Sequence, residues 1–250
     1  MGYQILRSGE GVGGRASQCA MAIMAKAPRV GKVKTRLAPP LTLEQSAALN
    51  ICFLKDTADG LAKVSGAEGM VCYTPAGDEA AFDDLLPAKF KLIAQRGDKF
   101  GERLLAAAED ILACGYGSVC LIDSDSPTVP KAAFEQAVAE LAREGDRIVL
   151  GPSQDGGYYL IGLKLAHAAV FENITWSTAS VCEETIERAR EAGIEVVRLP
   201  LWYDVDDGAT LAILRGELID GKMPEFAGIA GYEAPHTKEF LAGLREIVAV

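Results

Sequence analysis

Histidine is scarce in this sequence: His167 and His236 are the only two, and neither has a Cys, Asp or Glu at a ligand spacing. A zinc centre built on imidazole is therefore not expected. The six cysteines (Cys19, Cys52, Cys72, Cys114, Cys120 and Cys182) include no Cys-x-x-Cys pair, and Cys19, Cys72 and Cys120 sit in or beside apolar runs. They read as reduced, mostly buried thiols of a cytoplasmic protein rather than as a disulfide framework. No apolar run approaches the roughly 20 residues of a membrane span, and the N-terminus lacks a signal-peptide core. Positive charge is in short supply too. There are 25 Lys and Arg against 35 Asp and Glu, a net charge of -10. That excess of acid argues against nucleic-acid or anionic-membrane partners. It leaves a phosphate ligand open, because a local basic cluster or a divalent cation can reverse the field at one site.

What the chain does have is the composition of an ordinary folded protein, 49% hydrophobic and 24% charged. At 250 residues it can bury a core without disulfides. Residues 1–17 are Gly-rich and read as a flexible N-terminal extension. They contain a literal GxGxxG at Gly9, Gly11 and Gly14, but a dinucleotide fingerprint needs a strand before it and a helix after it. The first core strand is expected only afterwards, so the motif is set aside.

From residue 18 onward the pattern alternates. Apolar runs at 18–24, 69–73, 91–94, 118–122, 147–151, 157–162 and 194–199 predict strands. Helical stretches are expected at 42–64, 78–86, 101–113, 130–144, 178–192 and 208–219, with a C-terminal helix within 221–250. Strands alternating with helices predict an α/β fold with a mainly parallel sheet, and neither an internal repeat nor a linker divides residues 18–250. Ligands of open parallel sheets bind beyond the carboxyl ends of the strands, so the residues following each strand are the ones to inspect.

After the first strand comes KAPRVGKVKTRLAPP. From residue 11 to 43 there is no Asp or Glu but six Arg or Lys, five of them within 26–36. This is either a solvated basic loop or an anion grip, with Lys34 and Arg36 reaching phosphates and backbone N–H groups near Gly31 assisting. After the fourth strand comes DSD. Asp123 and Asp125, at i and i+2 on a loop leaving a strand, can share one hard cation such as Mg²⁺ or Mn²⁺; alternatively they cap and turn the chain before Pro127. The fifth strand is followed by QDGG. Gly156 and Gly157 let a ligand approach the backbone, and Asp155 could bind hydroxyls or act as a base; a plain hairpin turn is compatible with either. Late in the chain, WYDVDD crowds Asp204, Asp206 and Asp207 together. Asp206 or Asp207 is expected to cap the next helix, and Asp204 to be a further metal-facing carboxylate. These clusters, all at strand ends, describe a site for a nucleotide diphosphate with a metal.

The series MAKAPRVGKVKTRLAP, CLIDSDSPTVP, LGPSQDGGYYLIGL, ITWST and WYDVDD, spread over about residues 18–220, resembles a family of glycosyltransferase-like proteins, formerly of unknown function, in the nucleotide-diphospho-sugar transferase superfamily. Some members are labelled transferases of arsenosugar biosynthesis. The resemblance implies the GT-A fold, a three-layer sandwich over residues 18–250. It also implies a cleft holding Lys34, Arg36, Asp123, Asp125, Asp155 and Asp204, with Trp176 either walling a ring or filling the core. The expected reaction is metal-dependent glycosyl transfer from a nucleotide-sugar to a small-molecule acceptor, with Asp155, Lys34 and Arg36 catalytic. The alternative is nucleotidyl transfer from a nucleoside triphosphate with release of pyrophosphate, Asp125 and Asp204 sharing the metal. The usual GxSxRxG opening of the nucleotidyltransferases is absent here. A nucleotide-binding protein without catalysis is the third possibility.

Overall fold

A computed structural model gives the architecture of the protein, described for residues 3–9 and 14–244. Eight strands form one sheet: β1 (Gln4–Leu6), β2 (Cys19–Lys26), β3 (Ala67–Thr74), β4 (Lys91–Ala94), β5 (Ser118–Ile122), β6 (Arg147–Pro152), β7 (Tyr158–Leu163) and β8 (Glu195–Arg198). Six helices accompany them: α1 (Leu43–Leu61), α2 (Phe100–Ala113), α3 (Lys131–Ala142), α4 (Val181–Glu191), α5 (Gly208–Leu218) and α6 (Pro235–Gly243).

The sheet order is β1-β4-β3-β2-β5-β7-β6-β8. Both pairings of β7, with β5 and with β6, are antiparallel, and the other neighbours run parallel. The carboxyl ends of β2, β5 and β6 therefore share one edge with the start of β7. The chain runs from β2 outward through β3 and β4, then returns to place β5 on the other side of β2. That reversal opens a crevice between the ends of β2 and β5, where an open α/β sheet has room for a ligand.

The strands form because their side chains alternate between two apolar layers. Met21, Ile23 and Ala25 of β2 face the layer that buries Leu49, Phe53 and Leu54 of α1 and Phe134 of α3. Ala20 and Ala22 face the layer that buries Leu104, Ala108 and Ile111 of α2 and Ile186 of α4. Both faces of the central strands are covered, and each fully buried Leu, Ile or Phe contributes roughly 1.5–3 kcal/mol. The first long helix starts where its signals lie: Thr42 Oγ1 accepts from Gln45 N–H and Gln45 Oε1 accepts from Thr42 N–H, a reciprocal cap.

Two expectations change. Gln4–Leu6, within the segment read as flexible, is an edge strand paired with β4. Part of the Gly9–Gly14 motif, residues 10–13, lies outside the described residues. The helix expected over 78–86 is a single 3₁₀ turn at Glu79–Phe82, pinned by burial of Phe82. Among the described residues no helix is long and apolar enough to cross a membrane.

Candidate functional site

Two adjoining cavities open at the crevice. The smaller, about 260 Å³, is lined by Lys26, Lys32, Lys34, Arg36, Asn50 and Asp125, among others. The larger, about 630 Å³, holds Asp123, Asp125, Asp155, Asp204 and Asp206. Arg36, Asp125 and Asp206 belong to both and form the seam between them.

Backbone hydrogen bonds bring the acidic loops together. Val205 N–H donates to Asp125 O (2.9 Å), Gln154 N–H to Trp202 O (3.0 Å) and Asp123 N–H to Tyr159 O (3.0 Å). The loop after β5, the β6–β7 turn and the late acidic motif thus lie side by side although far apart in sequence.

Asp123 takes the turn-building role among its expected uses. Its Oδ1 accepts from the N–H groups of Asp125 and Ser126, and its Oδ2 from Ser126 Oγ at 2.7 Å, so it builds the turn while still lining the cavity. Burial, then the charges of Asp125 and Asp204, push its carboxyl well above the usual range. Asp204 is also raised, by burial and then by Asp155, although Ser153 Oγ donates to its Oδ1 at 2.8 Å. Asp155 Oδ1 accepts from Gly157 N–H at 2.8 Å. Gly156 sits at φ +90°, and a Cβ there would come within 2.0 Å of Ala179 O, so only glycine lets this turn lie against the entrance to α4.

Lys34 differs from expectation. Its backbone is left-handed (φ 48°), and its side chain is only 4% exposed. The three donors of its ammonium are all used: Asp125 Oδ1 (2.8 Å), Asp206 Oδ1 (2.8 Å) and Val205 O (2.7 Å). Burial alone would pull its pKa down, but the two carboxylates outweigh it and hold the ammonium above its ordinary range. No donor remains for a phosphate in this arrangement. Lys34 instead ties Asp125 to Asp206, while Arg36, with a side chain 80% exposed and Nη1 3.9 Å from Asp206 Oδ2, is free to reach an anion.

Gly31 is also placed differently. It forms a turn at φ +71° and lines neither cavity. Gly157 lines the larger cavity and Gly156 supports it from behind. Trp176 walls the larger cavity while packing against the apolar layer of α2 and α4, with its ring edge-on to Phe100 at 5.1 Å between centroids. Asp206, expected as one of two caps, is a seam residue. Asp207 alone takes the cap, accepting from Thr210 N–H at 2.9 Å. Phe100 and Asn50 lie outside the quoted motifs, and Ser153 lies within LGPSQDGGYYLIGL without being singled out by it; Phe100 follows β4 by a short loop, and inspection of strand ends would have reached it.

The donor set suits a hard cation: it is made of carboxylate oxygens, and Asp123 and Asp204 are raised by burial and then by neighbouring carboxylates. Among the described residues no three His, Cys, Asp or Glu side chains form a closed ligand group. Mg²⁺ is commonly held by one or two carboxylates and completed by substrate phosphates, which these residues can provide for.

The model of a family described as uncharacterized protein conserved in bacteria (DUF2064) matches residues 57–178. A solved protein from Desulfovibrio desulfuricans G20, provisionally named a nucleotide-diphospho-sugar transferase, is 32% identical. That match covers 91% of this chain and 98% of the other, with a TM-score of 0.76. Two solved structures share the fold at lower identity. One is a CMP:2-keto-3-deoxy-manno-octonic acid synthetase complexed with CTP (13% identity, 82% and 100% covered, TM-score 0.54). The other is the 4-diphosphocytidyl-2C-methyl-D-erythritol synthase of Anaerococcus prevotii DSM 20548 (12% identity, 81% and 96% covered, TM-score 0.51). No curated protein matches the chain. The fold is thus the expected GT-A-like α/β sandwich.

Proposed function

Because the chain belongs to the same family as the Desulfovibrio protein, within the nucleotide-diphospho-sugar transferase superfamily, we propose that it transfers a sugar from a nucleoside-diphospho-sugar to a small-molecule acceptor. The observation that carries this reading is the seam at the crevice between β2 and β5. A basic cavity and an acidic one share Arg36, Asp125 and Asp206 there, so a diphosphate can lie against cations on one side while its sugar extends into the larger space.

In this reading Arg36, supported by Lys26 and Lys32, grips the diphosphate and opposes the charge that grows on it as it leaves. Lys34 positions Asp125 and Asp206. One or two of Asp123, Asp125 and Asp204 would hold Mg²⁺ or Mn²⁺ with the donor's phosphates completing its shell, and the ion when bound would supply Lewis-acid stabilisation of the leaving phosphate oxygens. Asp155 anchors one oxygen on Gly157 N–H and keeps the other for a hydroxyl. The acceptor oxygen attacks the anomeric carbon, the bond from that carbon to the diphosphate breaks, and Asp155 takes the acceptor's proton. Cys19, Cys72, Cys120 and Cys182 are buried thiols outside any disulfide, which fits a reducing cytoplasmic setting.

A second reading is favoured by one observation: Asp204 lines the same cavity as Asp125. The pair could then serve nucleotidyl transfer from a nucleoside triphosphate. Calorimetric titration with UDP-glucose, GDP-mannose, UDP, GTP and CTP, each with Mg²⁺, Mn²⁺ or EDTA, separates the two. Metal-dependent binding of a diphospho-sugar, lost in Asp125→Ala, is the expected result. A preference for a triphosphate, with pyrophosphate as product, selects the second reading, and binding indifferent to EDTA and to Asp125→Ala overturns both.

A further inference from the structure

The larger cavity has two unlike walls. One carries the five aspartates. The other is apolar and built from Met24, Phe100, Leu104, Trp176 and Val181. Phe100 stands on the first turn of α2 with 46% of its surface exposed, and its ring meets Trp176 at an interplanar angle of 78°. An aromatic pair left open to a cavity can receive a further ring or flat apolar face.

This wall is formed in advance. Thr175 N–H donates to Glu184 Oε2 (2.6 Å), Thr178 Oγ1 to Thr175 O (2.6 Å) and Ser180 Oγ to Glu184 Oε1 (2.6 Å), which ties the Trp176 loop to α4. On the opposite side α2 makes room through Gly101, where a Cβ would fall 2.7 Å from Trp176 Nε1 and 2.7 Å from Phe171 O. A wall held from both sides loses little freedom on binding.

Charge decides what the wall can take. Among the described residues Arg36 is the one cationic residue lining the larger cavity, and it stands at the seam with the basic pocket. An anionic group brought to the aromatic side meets Asp155, which among the described residues has no cationic partner and stands outside the carboxylates proposed to hold the metal. Like charges repel strongly in a partly shielded cleft. A hydroxyl suffers no such repulsion, and a carboxylate can accept its proton.

We propose that the Phe100–Trp176 wall is the acceptor subsite and that it takes an uncharged, ring-bearing alcohol while excluding phosphorylated acceptors. This rests on the glycosyl-transfer reading above and names the class of its acceptor. The ring lies on Trp176 and Phe100, and the hydroxyl points toward Asp155.

The test is saturation-transfer NMR on the full chain with three probes that share one ring: 2-phenylethanol, 2-phenylethylamine and 2-phenylethyl phosphate. Wild type, Trp176→Ala and Phe100→Ala are compared; because Phe100 is exposed, its variant decides if Trp176→Ala fails to fold. The alcohol is expected to bind with its ring protons most saturated, at least tenfold tighter than the phosphate and at least fivefold tighter than to either variant. Any of four results overturns the proposal: the phosphate binding as well as the alcohol, the amine binding tenfold tighter than it, no loss in the folded variants, or no binding of any probe. The nucleotide titration is run alongside. Alcohol binding without nucleotide binding would sink the transferase reading and leave the ring site standing; the reverse would sink only the ring site.

Discussion

The two ends of the central sheet handle charge in opposite ways. At the amino end, Glu68 of β3 receives the ammonium of Lys91 and the hydroxyl of Tyr116, with Arg15 Nε at 3.6 Å. Burial alone would raise its carboxyl, but these partners overcome it and hold Glu68 below the ordinary range. At the carboxyl end, Asp123 and Asp204 are pushed up by burial and by neighbouring carboxylates, while the buried Lys34 spends its donors on Asp125, Asp206 and the Val205 carbonyl. One end is a closed account of charges and the other is left open. Unresolved charge of this kind is tolerated where a ligand completes it, so the contrast separates residues kept for stability from residues kept for chemistry.

The largest effect that would sharpen this contrast is expected at the open end. Asp125→Ala removes a seam carboxylate and should lower transfer or nucleotide affinity at least a hundredfold, read by product assay and calorimetry. At the closed end, Lys91→Met leaves Glu68 with fewer partners and should cost about 2 kcal/mol of stability in urea unfolding, with nucleotide affinity unchanged. Neutralising a carboxylate at the open end should do the reverse. Asp204→Asn keeps an oxygen for Ser153 Oγ and relieves like-charge crowding, so thermal unfolding should show a gain of about 0.5–1 kcal/mol beside a loss of activity. If Asp204→Asn destabilises while Lys91→Met does not, the contrast is broken.

The smallest effect concerns acid. The folded-state pKa of Glu68 lies below its unfolded value, so its contribution is present above the unfolded pKa and disappears as pH falls through the folded one. The stability difference between wild type and Glu68→Gln should therefore be widest above about pH 5 and should shrink below the ordinary Glu pKa of about 4.3. Urea midpoints from pH 7 down to pH 3 measure it.

Much of this arrangement could be read from the sequence because it follows from short-range pattern. Continuous apolar runs marked β2, β3 and β5, and attention to strand ends reached Asp123, Asp125, Asp155 and Asp204, which all line one cavity. What escaped depends on long-range packing. The burial of Lys34 against Val205 and Asp206, 171 and 172 positions away, has no local signal. Between Asp206 and Asp207 the sequence offers two equivalent caps, and only the position of Thr210 assigns the role. Strand β1, three residues long, is too short to show a period, and its formation depends on an open edge at β4.

The two indoles of the chain are unequal, and this has an optical consequence. Trp202 is 1% exposed and its Nε1–H is committed to Thr128 Oγ1, whereas Trp176 stands at the cavity wall. Intrinsic fluorescence thus divides into a sealed emitter that reports folding and a wall emitter that reports occupancy. Trp176→Phe silences the second and leaves the first, so ligand entry and loss of fold can be followed in the same cuvette without a label.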